Sequence, residues 1–306
     1  MIEKSDEEGQ TITLPDGRQL GYLVVGEGNP VIHFHSGLSS RLEAIVYEEI
    51  ARSESLQIIG VDRPGFGLST YAPKRRISDF AADVSLLLDQ LGIEKFMLIG
   101  YSTGGPYAIT LAALYPERVL RVFVISGLSL PLDTSELGRI DKILYTTYPI
   151  IGTLIQKRQR NTFLEIVKDP DAYLKSQAGR KMLKDLPKDL ASILSSPSQS
   201  RDIFLRSVKE VYNQGSDSIK ALIQERKLMK SGWDVDLSKI PKGLVNIWHG
   251  TADKNAPISN AYRNAEDIPG AHLEIFEDEG HTLLFNNLRR LCKTLSSLWS
   301  SSNAGH

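Results

Sequence analysis

The chain has 306 residues, of which 41% are hydrophobic and 24% are charged, and its formal net charge is −1. These values are typical of one large globular domain, or of a core domain with an insertion, and they exclude bulk electrostatic attraction to nucleic acid or an anionic membrane. Cys292 is the only cysteine, so no intrachain disulfide can form, which fits a reducing compartment. We see no signal-like apolar region at the start and no apolar stretch long enough to span a bilayer, so we expect a cytoplasmic protein.

Strands and helices are predicted to alternate in the first part of the chain. Strands are expected at residues 10–14, 18–25, 31–34, 57–61, 95–99 and 120–125, and helices at residues 41–53, 77–91 and 106–114. The clearest helix is the one over 77–91, because its apolar residues recur at helical spacing. This order predicts an α/β fold with a mostly parallel sheet covered by helices.

The alternation stops after Gly127 and returns near residue 244. Between about 130 and 233 we find no convincing strand, and helices are predicted within 137–155, 201–213 and 216–230. Afterwards come a strand at 244–248, a helix at 258–267, a strand at 272–276 and a helix at 282–299. The expected organisation is a core domain of residues 1–130 and 234–306, with eight strands, and an all-helical cap of residues 131–233 inserted after the sixth strand.

A Gly-x-Ser-x-Gly pattern stands between a predicted strand and a predicted helix, in the stretch Gly100-Tyr101-Ser102-Thr103-Gly104. A serine at such a turn projects its hydroxyl beyond the sheet edge, and glycines two residues to either side avoid steric collision. The following helix directs its N–H groups toward the position where negative charge develops. The pattern therefore predicts that Ser102 is a nucleophile.

A serine hydroxyl needs a base to take its proton and an acid to orient that base. Of six histidines, His281 suits the base role, since it follows the last predicted strand, where the ends of parallel strands carry the active site. Asp253 follows the preceding strand at the same edge and is the predicted acid. Asp133, inside the insertion, is the alternative acid.

An oxyanion formed during attack on a carbonyl needs two N–H donors. The amide of Thr103 is one predicted donor, and the amide of Gly37, in the loop after the third strand, is the other. His33 and His35 could suggest a metal-binding pair, but no further metal-ligand motif accompanies them. We expect His35 to brace this loop by hydrogen bonding, and we expect no metal.

Together these motifs resemble the α/β-hydrolase fold superfamily, in the group that includes esterases, proline iminopeptidases, carbon–carbon bond hydrolases and cofactor-free haloperoxidase-like enzymes. The resemblance covers nearly the whole chain and includes His35-Ser36-Gly37, the loop from Asp62 to Ser69, Gly100 to Gly104, His249 to Asp253, and Gly280-His281. It implies the chain order Ser…Asp…His, a helical cap, and a reaction that requires no cofactor. The chain departs from the pattern at Ser36, where relatives usually have glycine.

The sequence and the resemblance predict a serine hydrolase acting on a small, largely apolar ester or acyl compound, with the cap forming a pocket wall. The candidate substrate-binding residues are aromatic: Tyr101, Tyr145, Tyr148, Phe163, Trp233 and Phe204.

Two alternative functions stay open. One is carbon–carbon bond hydrolysis, a lyase reaction or iminopeptide cleavage at the same site, the last with Glu165, Asp169 and Asp171 holding a substrate amine. The other is a small-molecule receptor with slow or no turnover. The oligomeric state is open.

Overall fold

The computed structural model describes residues 9–136, 139–195 and 197–303. Its centre is one eight-stranded sheet with the strand order β1-β2-β4-β3-β5-β6-β7-β8. The strands are β1 Gln10–Thr13, β2 Gln19–Gly26, β3 Asn29–Phe34, β4 Leu56–Val61, β5 Phe96–Tyr101, β6 Val119–Ile125, β7 Val245–Gly250 and β8 His272–Phe276. Only the β1–β2 and β2–β4 pairs are antiparallel. The prediction of a mostly parallel, eight-stranded sheet is confirmed.

Twelve α-helices are present in the described residues. They are α1 Glu48–Ser53, α2 Ile77–Gln90, α3 Gly105–Leu114, α4 Arg139–Lys168, α5 Pro170–Lys175, α6 Gln177–Asp185, α7 Lys188–Ser195, α8 Gln199–Asn213, α9 Ser216–Leu228, α10 Ser259–Asp267, α11 Leu283–Asn286 and α12 Leu288–Asn303. Short 3₁₀ helices cover Arg41–Tyr47, Ser102–Gly104 and Leu237–Lys239. The predicted helix over 282–299 is therefore two helices, which a turn at Asn287 separates.

Helices cover both faces of the sheet, and the central strands are buried on both sides. On β5, Leu98 belongs to the apolar cluster that includes residues of α2 and α3, whereas its neighbours Met97 and Ile99 belong to the cluster that includes residues of α1 and α12. Because alternate residues of a strand point to opposite faces, a central strand such as β5 contributes side chains to both clusters. Each fully buried side chain of this kind contributes about 1.5–3 kcal/mol.

Helices α4 to α9 lie between β6 and β7, and no strand occurs among the described residues of this segment. Sequence patterns missed the three short helices α5, α6 and α7, because two turns of helix are too short to show a clear apolar period. Their starts carry recognisable signals. Pro170 is the first residue of α5, where its missing N–H costs nothing, and the Asp169 side chain caps that helix through the Ala172 N–H at 2.9 Å.

Among the helices in the described ranges, none combines the length and the apolar character that crossing a bilayer requires. Residues 1–8, 137–138, 196 and 304–306 lie outside the described part of the chain, and so does the side chain of Tyr145 on α4.

Candidate active site

Ser102 follows β5 directly and has a φ of 55°, a left-handed conformation that serine adopts only where the surrounding structure demands it. The turn is tight on both sides. A Cβ on Gly104 would collide with the Phe34 carbonyl oxygen, and a Cβ on Gly100 would lie 2.7 Å from the Gly104 carbonyl oxygen. Glycine at both positions is therefore a packing requirement of the turn that carries the serine.

Three side chains meet at the carboxyl edge of the sheet. The Ser102 Oγ lies 3.0 Å from Nε2 of His281, and Nδ1 of the same ring lies 2.8 Å from Asp253 Oδ2. The three residues follow β5, β8 and β7, which are parallel and ordered β5-β6-β7-β8. The parallel direction of these strands brings residues that are 179 and 28 positions apart in the chain within hydrogen-bond reach. A proton can pass from the serine to the imidazole in this arrangement.

The Asp253 carboxylate is held in place by its own loop. Its Oδ1 accepts hydrogen bonds from the N–H groups of Asn255 and Ala256, both at 2.9 Å, which leaves Oδ2 for His281. Burial alone would raise the pKa of Asp253, but the hydrogen bond and charge of His281 and the Ala256 N–H hold it below its usual range. The carboxylate is thus ionised and directed at the imidazole.

His249, which the sequence analysis named only as the start of a matching stretch, supports the same loop. Its buried ring reaches the Ala256 carbonyl oxygen through Nε2 at 2.7 Å, and burial lowers the pKa of the ring. A neutral ring that donates to Ala256 keeps the turn after β7 closed around Asp253. In the sequence, the feature that indicated this role was the His249-Gly250 pair at the end of β7.

The alternative acid, Asp133, lies elsewhere. Hydrogen bonds from the Ser135 side chain and from the Ser135 N–H, the latter at 2.7 Å, lower the pKa of its carboxyl, and its own N–H donates to the Asn260 amide oxygen at 3.1 Å. These bonds hold the loop between β6 and α4 and attach it to α10 through Asn260. The His281 ring is paired with Asp253 instead.

The two predicted oxyanion donors are neighbours in space. A Cβ on Gly37 would lie 3.1 Å from Thr103 Oγ1. In the same loop the Ser36 N–H is occupied, since it donates to Glu43 Oε2 at 2.9 Å, whereas no acceptor within the described part of the chain binds the Gly37 N–H. Gly37 also lines the cavity, so its amide stays the predicted second donor.

Buried polar groups hold this loop from beneath. Glu43 also accepts the Ser36 hydroxyl at 2.7 Å and contacts Nε2 of His33 at 2.9 Å. The guanidinium of Arg63 donates to the carbonyl oxygens of His35 and Ser36, the latter at 2.9 Å. Sequence reasoning missed Glu43 and Arg63, and for Arg63 the signal was its place in the loop from Asp62 to Ser69.

The histidine rings of β3 and its loop are fully engaged. His33 bonds Glu43 through Nε2 and contacts the Tyr47 hydroxyl through Nδ1 at 3.2 Å. His35 contacts the Ser36 carbonyl oxygen through Nδ1 at 2.8 Å and the Arg63 N–H through Nε2 at 3.3 Å. Burial, followed by the nearby charge of Arg63, holds the pKa of His35 well below its usual value. All four ring nitrogens therefore brace the structure.

A cavity of about 600 Å³ opens above Ser102 and His281, and its walls are mainly apolar. Its apolar lining comes from the Ser36–Leu38 loop, helices α4, α7, α8 and α11, and helix α6 with the residue that follows it: Leu38, Ile155, Phe163, Met182, Leu186, Leu190, Ile193, Leu194, Phe204 and Phe285. Arg158, Gln159, Ser200 and Asn255 are among the polar lining residues. This volume lies within the range that suits a small organic molecule.

The predicted aromatic residues divide into two groups. Tyr101, Phe163 and Phe204 line the cavity. Tyr148 and Trp233 do not, which corrects the prediction for these two. The Tyr148 hydroxyl accepts a bond from the Gln156 amide at 2.6 Å, and Trp233 packs against the main apolar cluster of the core. Tyr145 has its side chain outside the described part of the chain, so its prediction stays open.

The three acidic residues considered for binding an amine also lie away from the cavity lining. Glu165 pairs with Lys168 at 2.6 Å and Asp171 pairs with Arg201 at 2.8 Å, while Asp169 caps α5. Each has a local structural partner.

Comparisons with known proteins agree with the fold. The model of the alpha/beta hydrolase fold family matches residues 29–288. The chain belongs to this family. It is 26% identical over 282 residues to YcgS, an uncharacterized hydrolase of Bacillus subtilis (strain 168). This alignment covers 90% of this chain and 92% of the relative. It is also 24% identical over 313 residues to the 2-hydroxymuconate semialdehyde hydrolase of Pseudomonas putida. That alignment covers 99% of this chain and 98% of the relative.

A solved structure shows the same fold. An esterase from Exiguobacterium antarcticum aligns with a TM-score of 0.62 at 22% identity, over 94% of this chain and 98% of that one. The family and the relatives identify a hydrolase, and the resemblance expected from the sequence motifs is confirmed at that level.

Proposed function

We propose that this protein is a serine hydrolase that cleaves a small, largely apolar ester or related acyl compound. The observation that carries the proposal is the 3.0 Å separation of Ser102 Oγ and His281 Nε2 at the floor of a mainly apolar cavity. An apolar pocket of this size stabilises an acyl chain by excluding water, and the few polar groups orient the reacting carbonyl.

In the proposed reaction, Ser102 Oγ attacks the substrate carbonyl while His281 Nε2 takes the serine proton. Asp253 keeps the other nitrogen of the ring protonated and stabilises the imidazolium that forms. The N–H groups of Thr103 and Gly37 donate to the oxyanion. His281 then gives its proton to the leaving alcohol, and water, activated by the same ring, releases the acid from Ser102.

A second candidate is hydrolysis of a carbon–carbon bond in a substrate that carries a carboxylate. Two observations favour keeping it. The Pseudomonas putida relative, which acts on 2-hydroxymuconate semialdehyde by name, aligns over 99% of this chain. Arg158 of α4, among the cavity-lining residues, supplies a positive charge that suits a carboxylate.

Labelling with a fluorophosphonate probe tests the proposal directly. We expect one adduct, on the peptide containing Ser102, that is lost in Ser102→Ala and strongly slowed in His281→Ala. Activated esters with acyl chains of increasing length, assayed beside 2-hydroxymuconate semialdehyde, then separate the two candidate reactions. An unlabelled Ser102 in the folded protein contradicts both. Labelling without multiple turnovers on any of these compounds favours a binding role.

A further inference from the structure

The peptide group that joins His281 to Thr282 is held from both sides. Its carbonyl oxygen accepts a hydrogen bond from the Tyr101 hydroxyl at 2.7 Å, and its N–H donates to Asp189 Oδ2 at 3.1 Å. In a trans peptide the C=O and N–H point in opposite directions, so these two partners restrain one plane from opposite sides. Tyr101 precedes Ser102 on β5, whereas Asp189 lies in the first turn of α7.

Gly280 makes the approach of Asp189 possible. A Cβ at this position would collide with Asp189 Oδ2 and would lie 2.9 Å from its Cγ. The backbone of Gly280 is not among those with positive φ, so glycine is needed here for space and not for conformation. Glycine at position 280, directly before the proposed base, thus leaves the space that the Asp189 carboxylate occupies.

The same helix forms part of the cavity wall. Leu190, which follows Asp189, and Ile193, one turn later, both line the cavity beside Ser102 and His281. The ring of Tyr101 also stacks on the His281 ring, with centroids 5.4 Å apart and planes 30° apart. Helix α7 therefore contributes both to the cavity wall and to the hydrogen bonding of the His281–Thr282 peptide.

We propose that Asp189 is a positioning residue, through which helix α7 holds the His281–Thr282 peptide and so sets the imidazole against Ser102. This inference rests on the proposed function, because it assigns to His281 the role of base. An ionised acceptor makes a stronger hydrogen bond to an N–H than a neutral one does. When α7 is displaced, the peptide loses one of its two restraints and the imidazole loses its alignment.

The test uses p-nitrophenyl acetate, whose acetyl group is too short to need the cavity wall, beside a longer acyl ester. Asp189→Ala is expected to lower kcat on the acetyl ester about tenfold or more with KM within about twofold. Asp189→Asn, which keeps an acceptor oxygen, should retain most of the activity. Gly280→Ala should resemble Asp189→Ala, and the double variant should be no worse than the poorer single variant, since both changes break one contact.

Asp185→Ala is the matched control, because it removes an exposed carboxylate from the end of α6. Its kcat should equal that of the wild type. Where Asp189→Ala does not fold by circular dichroism, Asp189→Ser replaces it, since serine is polar but too short to reach the Thr282 N–H.

Three outcomes would overturn the inference: an unchanged kcat on the acetyl ester, a rise in KM confined to the longer ester, or additive losses in the double variant. Fluorophosphonate labelling of Ser102 distinguishes a failure of the positioning role of Asp189 from a failure of the proposed function. If the wild type is not labelled, the proposed function fails. If the wild type and Asp189→Ala are labelled at equal rates, the positioning role alone fails.

Discussion

Glu43 and Ser36 are joined by two hydrogen bonds: the Ser36 N–H donates to Oε2 at 2.9 Å, and the Ser36 hydroxyl donates to Oε1 at 2.7 Å. The hydroxyl thus gives the loop a second attachment to the buried carboxylate, at the position where the resemblance to the superfamily implied glycine. The Glu43 carboxylate also occupies the Ser36 N–H, so we propose the next amide, that of Gly37, as the donor to a substrate oxygen.

The first prediction concerns this attachment. Glu43→Gln should lower kcat on an activated ester by about tenfold or more, because the amide cannot accept all three hydrogen bonds and the oxyanion loop loses its fixed position. Ser36→Ala should cost less, about fivefold, since the backbone bond remains. Glu165→Gln, a change to an exposed carboxylate on α4, is the control. Steady-state kinetics in which all three variants match the wild type would contradict the assignment.

Glu43 also predicts a pH dependence of stability. Burial would raise its pKa, but bonds from His33 and Ser36 lower it below its usual value of 4.5. For a carboxyl with a lowered pKa, the stabilisation is complete above pH 4.5 and is lost as the pH falls through the folded-state pKa. The difference in free energy of unfolding between wild type and Glu43→Gln should therefore shrink below pH 4.5. Urea unfolding at several pH values measures it, and a constant difference would refute the prediction.

The acid that orients the imidazole is tested by a pair of matched substitutions. Asp253→Asn should reduce kcat by about 10³–10⁴-fold, since an amide favours the wrong tautomer of His281. Asp133→Asn, at the alternative acid, should change kcat less than about twofold, because its carboxylate bonds Ser135 of its own loop and not His281, whose ring bonds Asp253. A large loss in Asp133→Asn with little loss in Asp253→Asn would reverse the assignment.

The turn that carries Ser102 predicts a strong steric effect. Gly104→Ala forces a methyl group into the Phe34 carbonyl oxygen, so it should destabilise the protein by about 1–3 kcal/mol or more and abolish labelling of Ser102. Gly232→Ala is the matched control, because nothing lies within 4 Å of its added Cβ. Thermal unfolding and probe labelling report the two effects, and equal behaviour of the two variants would argue against a tight turn.

The cavity predicts chain-length selectivity. Leu190→Phe adds bulk to the α7 wall, so activity on long acyl esters should fall at least tenfold while activity on an acetyl ester stays within about twofold. Leu86→Phe, at an exposed position on α2, should leave both unchanged. A wild type that hydrolyses short and long esters equally well would show that the acyl chain does not occupy this cavity.

Short-range rules explain why much of the fold was predictable. The eight strands follow from apolar runs bounded by turn residues, and the parallel direction follows from helices between successive strands. The nomination of Ser102 needed the Gly-x-Ser-x-Gly pattern, and that of Asp253 and His281 needed their positions after predicted strands, because parallel strands bring such positions to one edge. The aromatic residues Tyr148 and Trp233 could not be judged in this way, since aromatic residues on or near helices fill cores and line cavities with the same spacing.

By itself, then, the sequence was enough to determine the layered sheet and to nominate the residues that follow its strands, because local propensity and strand direction act over a few residues. The tertiary structure alone decided which side chains support them. Asp189 meets the Thr282 N–H from 93 positions away, and Glu43 turns inward beneath Ser36 from a helical turn where an acidic residue is ordinarily solvated. Such contacts depend on how the inserted helices pack on the sheet and on which way each side chain points, and neither is encoded in the residues adjacent to them.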